Sequence, residues 1–241
     1  QKNKSIGEFV VGFSLMFLGL SFMKSSAGTL LSNKDVMLEF FSHFTGYGFW
    51  SQIIFLLAGT ILTIVLQASS ATMAITMLLA ASGLIDFKLA VAMVLGENIG
   101  TTITANIAAS VANTSAKRAA RAHTIFNVVG VVWVLALLRP IVSLICVVME
   151  SLGFYDPVQA SHQLAVIADR GMQVDPAEMD MYKNSLLYGI AMLHTLFNVT
   201  NTFVLIWFVP LIEKAVIWLV KEPKGETEVF RLKYISGGPL N

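Results

Sequence analysis

Long uncharged stretches alternate with short charged segments along this chain. No Asp, Glu, Lys or Arg lies between Glu39 and Asp86, a run of 46 residues, or between Lys183 and Glu213, a run of 29 residues. A helix that crosses the hydrocarbon layer of a bilayer needs about 20 apolar residues. The first run is therefore long enough for two passes and the second for one, which predicts an all-α integral membrane protein.

The same pattern divides the first half of the chain into segments. Residues 6–23 predict a first spanning helix, and residues 24–49 predict a mixed loop with room for a short helix. Residues 50–83 and 89–112 follow as two apolar runs, separated by a short turn at residues 85–88. The pattern leaves open whether residues 50–83 form a re-entrant hairpin or a span followed by a half-helix.

The second half of the chain is less uniform. Residues 122–138 predict a helix that ends or kinks near the Arg139–Pro140 pair, because proline interrupts helical hydrogen bonding. Residues 141–153 suit either a second pass or an interfacial helix. Residues 154–184 are polar and net acidic, which predicts an extramembrane loop before a last span at residues 185–220.

The basic residues predict an orientation in the membrane. Residues 116–121 carry three basic and no acidic residues, and such short loops mark the cytoplasmic side. If residues 122–153 cross once, the acidic loop lies outside and the charged tail at residues 221–241 returns to the cytoplasm. Two crossings would reverse both. The expected location is the inner (plasma) membrane, as a multi-pass protein surrounded by lipid.

Composition excludes several other classes of protein. Hydrophobic residues make up 56% of the chain and charged residues only 13%, against about a quarter in a soluble domain. A net charge of +1 gives no reason to expect nucleic acid as a partner. The single cysteine, Cys146, excludes a disulfide within the chain and a multi-cysteine metal site.

Two clusters of uncharged polar residues interrupt the apolar runs, LQASSAT at residues 66–72 and GENIGTT at residues 96–102. Their amide and hydroxyl oxygens suit a hard monovalent cation such as sodium. A helix that breaks among them would also direct free N–H groups at an anion. Secondary transporters build paired ion and anion sites in this way. Gly96 and Gly100 flank Asn98 and would permit the second helix to unwind as well.

The alternative interpretation of both clusters is structural. Serine and threonine in spanning helices often bond a carbonyl of their own helix, and small residues permit close helix packing. Two clusters of similar make-up favour a binding role over this alternative. Asn98 lies ten residues past Lys88, hence about 15 Å deep and near the bilayer midplane.

QASSAT followed by GENIGTTITA resembles the second repeat of the type II sodium/phosphate cotransporters of bacteria and animals, including bacterial NptA-like proteins. In that family a Q-S-S-S signature and a G-A-N-I-G-T-T stretch occur in each of two inverted repeats. The resemblance implies broken or re-entrant helices and sodium-dependent symport of inorganic phosphate, with Na⁺ as coupling ion and no further cofactor. It implies substrate and sodium contacts from Gln67, Ser69 and Ser70, further contacts from Asn98, Thr101 and Thr102, and an additional contact from Thr72.

Two positions depart from the family pattern. Ala68 stands where the signature has its first serine, so one hydroxyl is absent. Glu97 stands where the family usually has alanine. A carboxylate at this depth is costly and marks a functional site by default, where it would attract a cation or a proton. The alternative is that Glu97 faces a water-filled vestibule or pairs with a basic residue.

One Q-x-S-S motif occurs in the chain, so we expect the first repeat upstream of Gln1 and only half of a site within this sequence. The segment FRLKYISGGPLN resembles the linker that leads, in bacterial members, to a cytosolic PhoU-like domain. The predicted organisation is a membrane transport repeat at residues 1–153, the extramembrane loop at 154–184, a terminal membrane helix at 185–220 and a cytosolic tail at 221–241.

A nine-residue pattern occurs twice, as ARAHTIFNV at residues 120–128 and AMLHTLFNV at residues 191–199. The spacing places His123 with Asn127, and His194 with Asn198, on one face of a helix. These residues could form a proton-sensing or gating pair. The favoured interpretation is structural, with the polar side chains bonding across neighbouring helices and fixing their packing.

Other functions fit the sequence less well. A serine hydrolase needs a base and an orienting acid near its nucleophile, yet the chain has no G-x-S-x-G elbow and no Asp near these clusters. We therefore do not expect an enzyme. The remaining alternatives are a phosphate exporter or other small-anion transporter of the same fold, and a non-transporting, phosphate-sensing membrane subunit.

Overall fold

A computed structural model describes residues 2–31 and 34–222, and all regular elements in these residues are helical, which confirms the predicted all-α membrane fold. The helices are α1 (Lys2–Leu31), α2 (Lys34–Thr45), α3 (Phe49–Leu66), α4 (Ser69–Ala81), α5 (Phe87–Ala109), α6 (Thr114–Ala136), α7 (Leu138–Ser151), α8 (Pro157–Arg170), α9 (Pro176–Leu205) and α10 (Val209–Leu219), with a 3₁₀ turn at Ile206–Phe208.

Four segments are long and apolar enough to cross a membrane, namely Lys4–Phe22, Phe49–Leu66, Thr114–Ala136 and Pro176–Leu219. The helix α4 is also apolar but has only 13 residues. Its length of about 20 Å is shorter than the hydrocarbon layer of ~30 Å. The described residues therefore contain complete candidate spans beside one shorter helix.

The structure corrects one predicted boundary and confirms another. Residues 24–49, predicted as a mixed loop, are largely helical because α1 continues to Leu31 and α2 covers Lys34–Thr45. The polar residues of this segment favoured a loop in the prediction. The segment contains no proline, however, so nothing in its backbone prevents helix formation. The predicted break near Pro140 is confirmed, because α6 ends at Ala136 and α7 begins at Leu138.

The helix α5 is the centre of the bundle. Between Phe87 and Asn98 every residue except Lys88 is buried, and α5 packs against α3, α4, α6, α8 and α9. Burial on all sides explains why this segment lacks a single apolar stripe. The polar motif at residues 96–102 therefore lies within the protein interior.

The helices α3 and α5 run parallel and cross at a very short distance. A Cβ atom on Gly59 would overlap the carbonyl of Met93, and a Cβ atom on Gly96 would overlap the carbonyl of Leu56. Glycine is required at both positions because the neighbouring backbone occupies the space of a side chain.

Hydrogen bonds place the basic segment at the C-terminal end of α5. The Nδ2 atom of Asn106 donates to Thr124 Oγ1 at 2.6 Å, which joins α5 to the third turn of α6. Arg118 donates to the carbonyl of Val220 at 3.1 Å and pairs with Glu222 at 2.8 Å. The end of α10 therefore lies beside residues 116–121.

The opposite end of α5 contacts α8, which occupies part of the predicted extramembrane loop. Gly83, in the turn before α5, packs against the backbone of Leu164. Residues 116–121 and residues 157–170 thus lie at opposite ends of α5. The chain between them makes one net traverse of the bundle. Most of the predicted tail, residues 223–241, lies outside the described residues.

Candidate functional site

The first polar cluster is the break between α3 and α4. After Leu66, Gln67 adopts a left-handed conformation with φ 54° and ψ 25°, and Ala68 is extended with φ −148° and ψ 106°. The N–H of Gln67 donates to the carbonyl of Thr63 at 2.8 Å. Left-handed residues commonly end helices, but they are usually glycine. Among the described residues, Gln67 alone adopts a positive φ without being glycine.

A hydrogen bond between two threonines shows that α4 folds back along α3. Thr63 Oγ1 donates to Thr72 Oγ1 at 3.0 Å, although the residues are nine apart in sequence. In a continuous helix this separation would correspond to about 13 Å along the axis. The segment at residues 50–83 is therefore a helical hairpin with Gln67 and Ala68 at its tip, rather than a span continued by a half-helix.

The hairpin tip, residues 67–70, presents its polar groups outward. Gln67 and Ser70 are exposed and Ser69 is half-buried. No side chain caps the N-terminus of α4, so the N–H groups of its first turn lack intrahelical acceptors. Such an end attracts an anion through these donors and through the positive end of the helix dipole.

The second polar cluster lies within a continuous helix. The unwinding that Gly96 and Gly100 would permit does not occur, because α5 runs unbroken from Phe87 to Ala109. Gly96 and Gly100 instead provide the surface on which α3 packs. Their spacing places both on one helix face. Because glycine has no side chain, α3 can approach α5 closely there without breaking backbone hydrogen bonds.

The polar side chains of α5 bond mainly to carbonyls of their own helix, as the structural interpretation expected. The bonds are Asn98 Nδ2 to Val94 O at 2.8 Å, Thr101 Oγ1 to Asn98 O at 2.9 Å and Thr102 Oγ1 to Ile99 O at 2.8 Å. These bonds use the N–H and O–H donors. The amide and hydroxyl oxygens retain lone pairs with which they can accept a hydrogen bond or contact a cation.

Thr63 brings the two clusters together. It donates to Thr72 of α4, and a Cβ atom on Gly100 would lie 2.6 Å from the Cβ of Thr63. Gly100 is therefore level with the Thr63–Thr72 bond, and the hairpin tip lies up to about one helical turn beyond it, toward the C-terminal end of α5. The exposed tip and the end of the GENIGTT segment therefore lie within about one helical turn of each other along the bundle, and both α3 and α4 pack directly against α5.

Glu97 is a buried carboxylate in this region. It is 2% exposed, and its Oε2 atom has no hydrogen-bond partner. Within residues 2–31 and 34–222 no basic side chain forms a salt bridge with it. Glu97 is therefore enclosed by protein, and the described residues provide no basic partner for it. The Oγ1 atom of Thr76 in α4 is also buried without a partner.

The repeated histidine motif forms the same local bond in both copies. Asn127 Nδ2 donates to the carbonyl of His123 at 3.1 Å, and Asn198 Nδ2 donates to the carbonyl of His194 at 2.8 Å. The expectation that these amides bond across helices is wrong, because their donors are used one turn back in their own helix. His123 is exposed and His194 half-buried.

The bond across these helices comes from Asn201, which sequence reasoning missed. Its Nδ2 atom donates to the carbonyl of Phe126 at 3.0 Å, and its Oδ1 accepts from Trp133 Nε1 at 3.1 Å. It is fully buried and lies against Gly130. Its signal in the sequence is an amide within the last uncharged run, three residues after Asn198 and outside the repeated motif.

Comparison with known proteins agrees with this arrangement. The sequence profile of the family described as "Na+/Pi-cotransporter" matches residues 34–155, which include the hairpin and α5. No solved structure gives a significant match.

Similar proteins come from bacteria. The uncharacterized protein YqeW of Bacillus subtilis is 36% identical over 138 residues, covering 56% of this chain and 42% of the relative. The "Putative inorganic phosphate export protein YjbB" of Salmonella typhimurium is 27% identical over 139 residues, covering 58% of this chain and 25% of the relative. The Escherichia coli protein of the same name is 28% identical over 148 residues, covering 61% and 26%.

The chain thus matches less than half the length of these relatives. The profile covers half of the chain and contains both polar clusters. This chain belongs to the Na+/Pi-cotransporter family.

Proposed function

We propose that this chain supplies one half of the translocation pathway of a sodium-coupled transporter of inorganic phosphate. The observation that carries the proposal is the hairpin tip, where an uncapped helix N-terminus lies beside exposed hydroxyl and carboxamide groups. The family membership and the names of the relatives support phosphate as the substrate.

The tip offers separate groups for the anion and the cation. In this proposal the first-turn N–H groups of α4 and the hydroxyls of Ser69 and Ser70 donate to phosphate oxygens. The carboxamide oxygen of Gln67 and the hydroxyl oxygens contact Na⁺, together with oxygens of Asn98, Thr101 and Thr102 from α5. The first repeat, which we expect elsewhere in the full-length protein, would complete the site over the exposed tip.

Glu97 is the charged group nearest in sequence to these ligands. Because Glu97 is 2% exposed and no described basic side chain forms a salt bridge with it, a cation or a proton is the partner that would compensate its charge. We propose that Glu97 contributes to cation coupling, and not to contact with phosphate, which a carboxylate would repel.

Sodium coupling would meet the energetic cost of anion uptake. Moving one charge against the membrane potential costs about 2.3 kcal/mol per 100 mV. Entry of a divalent phosphate into an interior-negative cell therefore costs about 4.6 kcal/mol per 100 mV. Two sodium ions would cancel this electrical cost, and their concentration gradient would supply the drive for accumulation.

The arrangement of the bundle supports an orientation in the inner membrane. We place residues 116–121 in the cytoplasm on the basis of their charge. Residues 157–170 then face outside, because they lie at the other end of α5. The Thr63–Thr72 bond is level with Gly100, nine residues from the cytoplasmic end of α5. The hairpin tip lies up to one turn nearer that end, about 8 Å from it. The tail would lead to a PhoU-like domain on the cytoplasmic side.

Uptake of radioactive phosphate into proteoliposomes that contain the full-length protein tests the proposal. We expect uptake to require an inward sodium gradient and to fall at least tenfold in Gln67→Ala and Ser70→Ala. Ser82→Ala is the matched control, because the Ser82 hydroxyl bonds the carbonyls of Leu78 and Leu79 at the far end of α4. Unchanged uptake in both tip variants would refute the assignment of the site.

Export is the second candidate, and the names of the relatives favour it. The same proteoliposomes, loaded with phosphate and diluted, distinguish the two directions. Net efflux that resists an inward sodium gradient would indicate an exporter. Binding of phosphate without flux in either direction would indicate a sensing subunit.

A further inference from the structure

A second polar region lies at the N-terminal end of α5, far from the hairpin tip. A cavity of about 610 Å³ opens there between α3, α5, α7 and α8. Lys88 and Gly100, which is level with the Thr63–Thr72 bond, are twelve positions apart in α5, or about 18 Å, and the tip lies beyond Gly100. The polar side chains that line the cavity are Gln52, Lys88, Arg139, Ser143 and Asp156.

The charges in this cavity do not balance. Within the described residues, neither Lys88 nor Arg139 forms a salt bridge. The one carboxylate in the lining, Asp156, accepts hydrogen bonds from the backbone N–H groups of Val158 at 2.6 Å and Gln159 at 3.2 Å. Both bonds end on Oδ1 of Asp156, and the lining carries two cations against this one carboxylate, a formal charge of +1.

The backbone strengthens the positive potential. The cavity is lined by Gly48 and Phe49 at the start of α3 and by Leu138 at the start of α7. Neither helix has a side-chain cap at its N-terminus. The positive end of the α3 dipole therefore adds to the charges of Lys88 and Arg139. The start of α7 adds little, because Leu135 and Ala136 at the C-terminal end of α6 line the same cavity and the negative end of the α6 dipole offsets it.

We propose that this cavity binds a phosphate group. The Arg139 guanidinium can hold two oxygens of such a group in a bidentate contact, while Lys88 acts as a point charge. Gln52 and Ser143 provide further donors. The phosphate group is either free inorganic phosphate on its way through the transporter, which rests on the proposed function, or the headgroup phosphate of an anionic lipid, which does not.

Chemical labelling tests occupancy of the cavity without requiring transport. Ser143 is exposed and lines the cavity, so Ser143→Cys in the full-length protein gives a reporter thiol that reacts with N-ethylmaleimide. Peptide mass spectrometry follows its labelling in nanodiscs of phosphatidylcholine. Ser151→Cys is the control reporter, because Ser151 is exposed on the same helix but outside the lining.

We expect inorganic phosphate to slow labelling at Ser143→Cys at least threefold, relative to chloride at equal ionic strength, and to leave Ser151→Cys unchanged. Lys88→Gln or Arg139→Gln should abolish the protection. Arg170→Gln, which removes an exposed cation outside the lining, should retain it. Protection that persists in Gln67→Ala would separate this cavity from the hairpin tip.

Nanodiscs that contain phosphatidylglycerol, without inorganic phosphate, provide the second arm. Protection in these nanodiscs alone, lost in Lys88→Gln, would identify a lipid headgroup as the ligand. Absence of protection in both arms would overturn the proposal and leave the two cations as interfacial anchors. A protein that shows protection but transports no phosphate would refute the proposed function while supporting this site.

Discussion

The two polar clusters contain the same kinds of side chain but differ in backbone structure. At residues 66–72 the helix breaks, and Gln67 and Ser70 are exposed. At residues 96–102 the helix is continuous, and Glu97 and Asn98 are buried. The first cluster lies where α3 ends and α4 begins, whereas the second lies within α5, the most deeply buried helix of the bundle.

The positions of glycine are the reverse of what helix propensity predicts for these two clusters. Gly96 and Gly100 lie in the unbroken helix, where they admit α3, whereas the break at Gln67 and Ala68 contains no glycine. In this bundle the glycines lie where two helices approach closely, and the chain reverses direction at a non-glycine residue in a left-handed conformation. The following predictions test this contrast.

Gly96→Ala should have the largest effect. Its Cβ would lie 2.7 Å from the carbonyl carbon of Leu56 and 3.0 Å from the N atom of Thr60, which are backbone atoms that cannot rotate away. Separation of α3 from α5 should lower the free energy of unfolding by about 3 kcal/mol. Thermal unfolding in detergent measures this loss. Gly12→Ala is the matched helical control, since no atom lies within 4 Å of its Cβ. Equal stability of both variants would contradict the close crossing.

Glu97→Gln preserves the size of the buried side chain and removes its charge. If the carboxylate takes part in cation coupling, phosphate flux in proteoliposomes should fall about tenfold, which corresponds to about 1.4 kcal/mol. Glu150→Gln, at an exposed position, should retain full flux. Retention of flux by Glu97→Gln would show that the charge is not used.

Gln67→Gly should separate stability from transport. A left-handed conformation costs a non-glycine residue about 1–2 kcal/mol, so glycine at φ 54° should raise the free energy of unfolding by about 1 kcal/mol. Loss of the carboxamide should at the same time reduce flux. Gln67→Ala should lose flux without this gain. A Gly variant that is no more stable than Ala would argue against the left-handed tip.

The smallest effect is expected for the threonine pair that closes the hairpin. A double-mutant cycle of Thr63→Val and Thr72→Val should give a coupling energy of about 0.6 kcal/mol, typical of hydrogen bonds between membrane helices. Urea or thermal unfolding of the four proteins measures it. Additive effects of the two substitutions would mean that the Thr63–Thr72 bond does not hold the hairpin together.

The sequence by itself determined the class of fold and the position of the polar segments. Charge-free runs such as residues 40–85 are long enough to contain membrane-spanning helices. Pro140 predicted the boundary between α6 and α7. These features are local, because hydrophobic length and proline geometry act within a few turns of the chain.

Tertiary structure decided how each polar group is used. The continuity of α5, the burial of Glu97 and the bonds from Asn201 to Phe126 and Trp133 depend on which helix lies opposite each residue. A polar side chain in an apolar run has the same local pattern whether it bonds its own helix, a neighbour or a ligand. Only packing selects among these partners, because hydrogen bonds and burial are set by atoms that are distant in sequence.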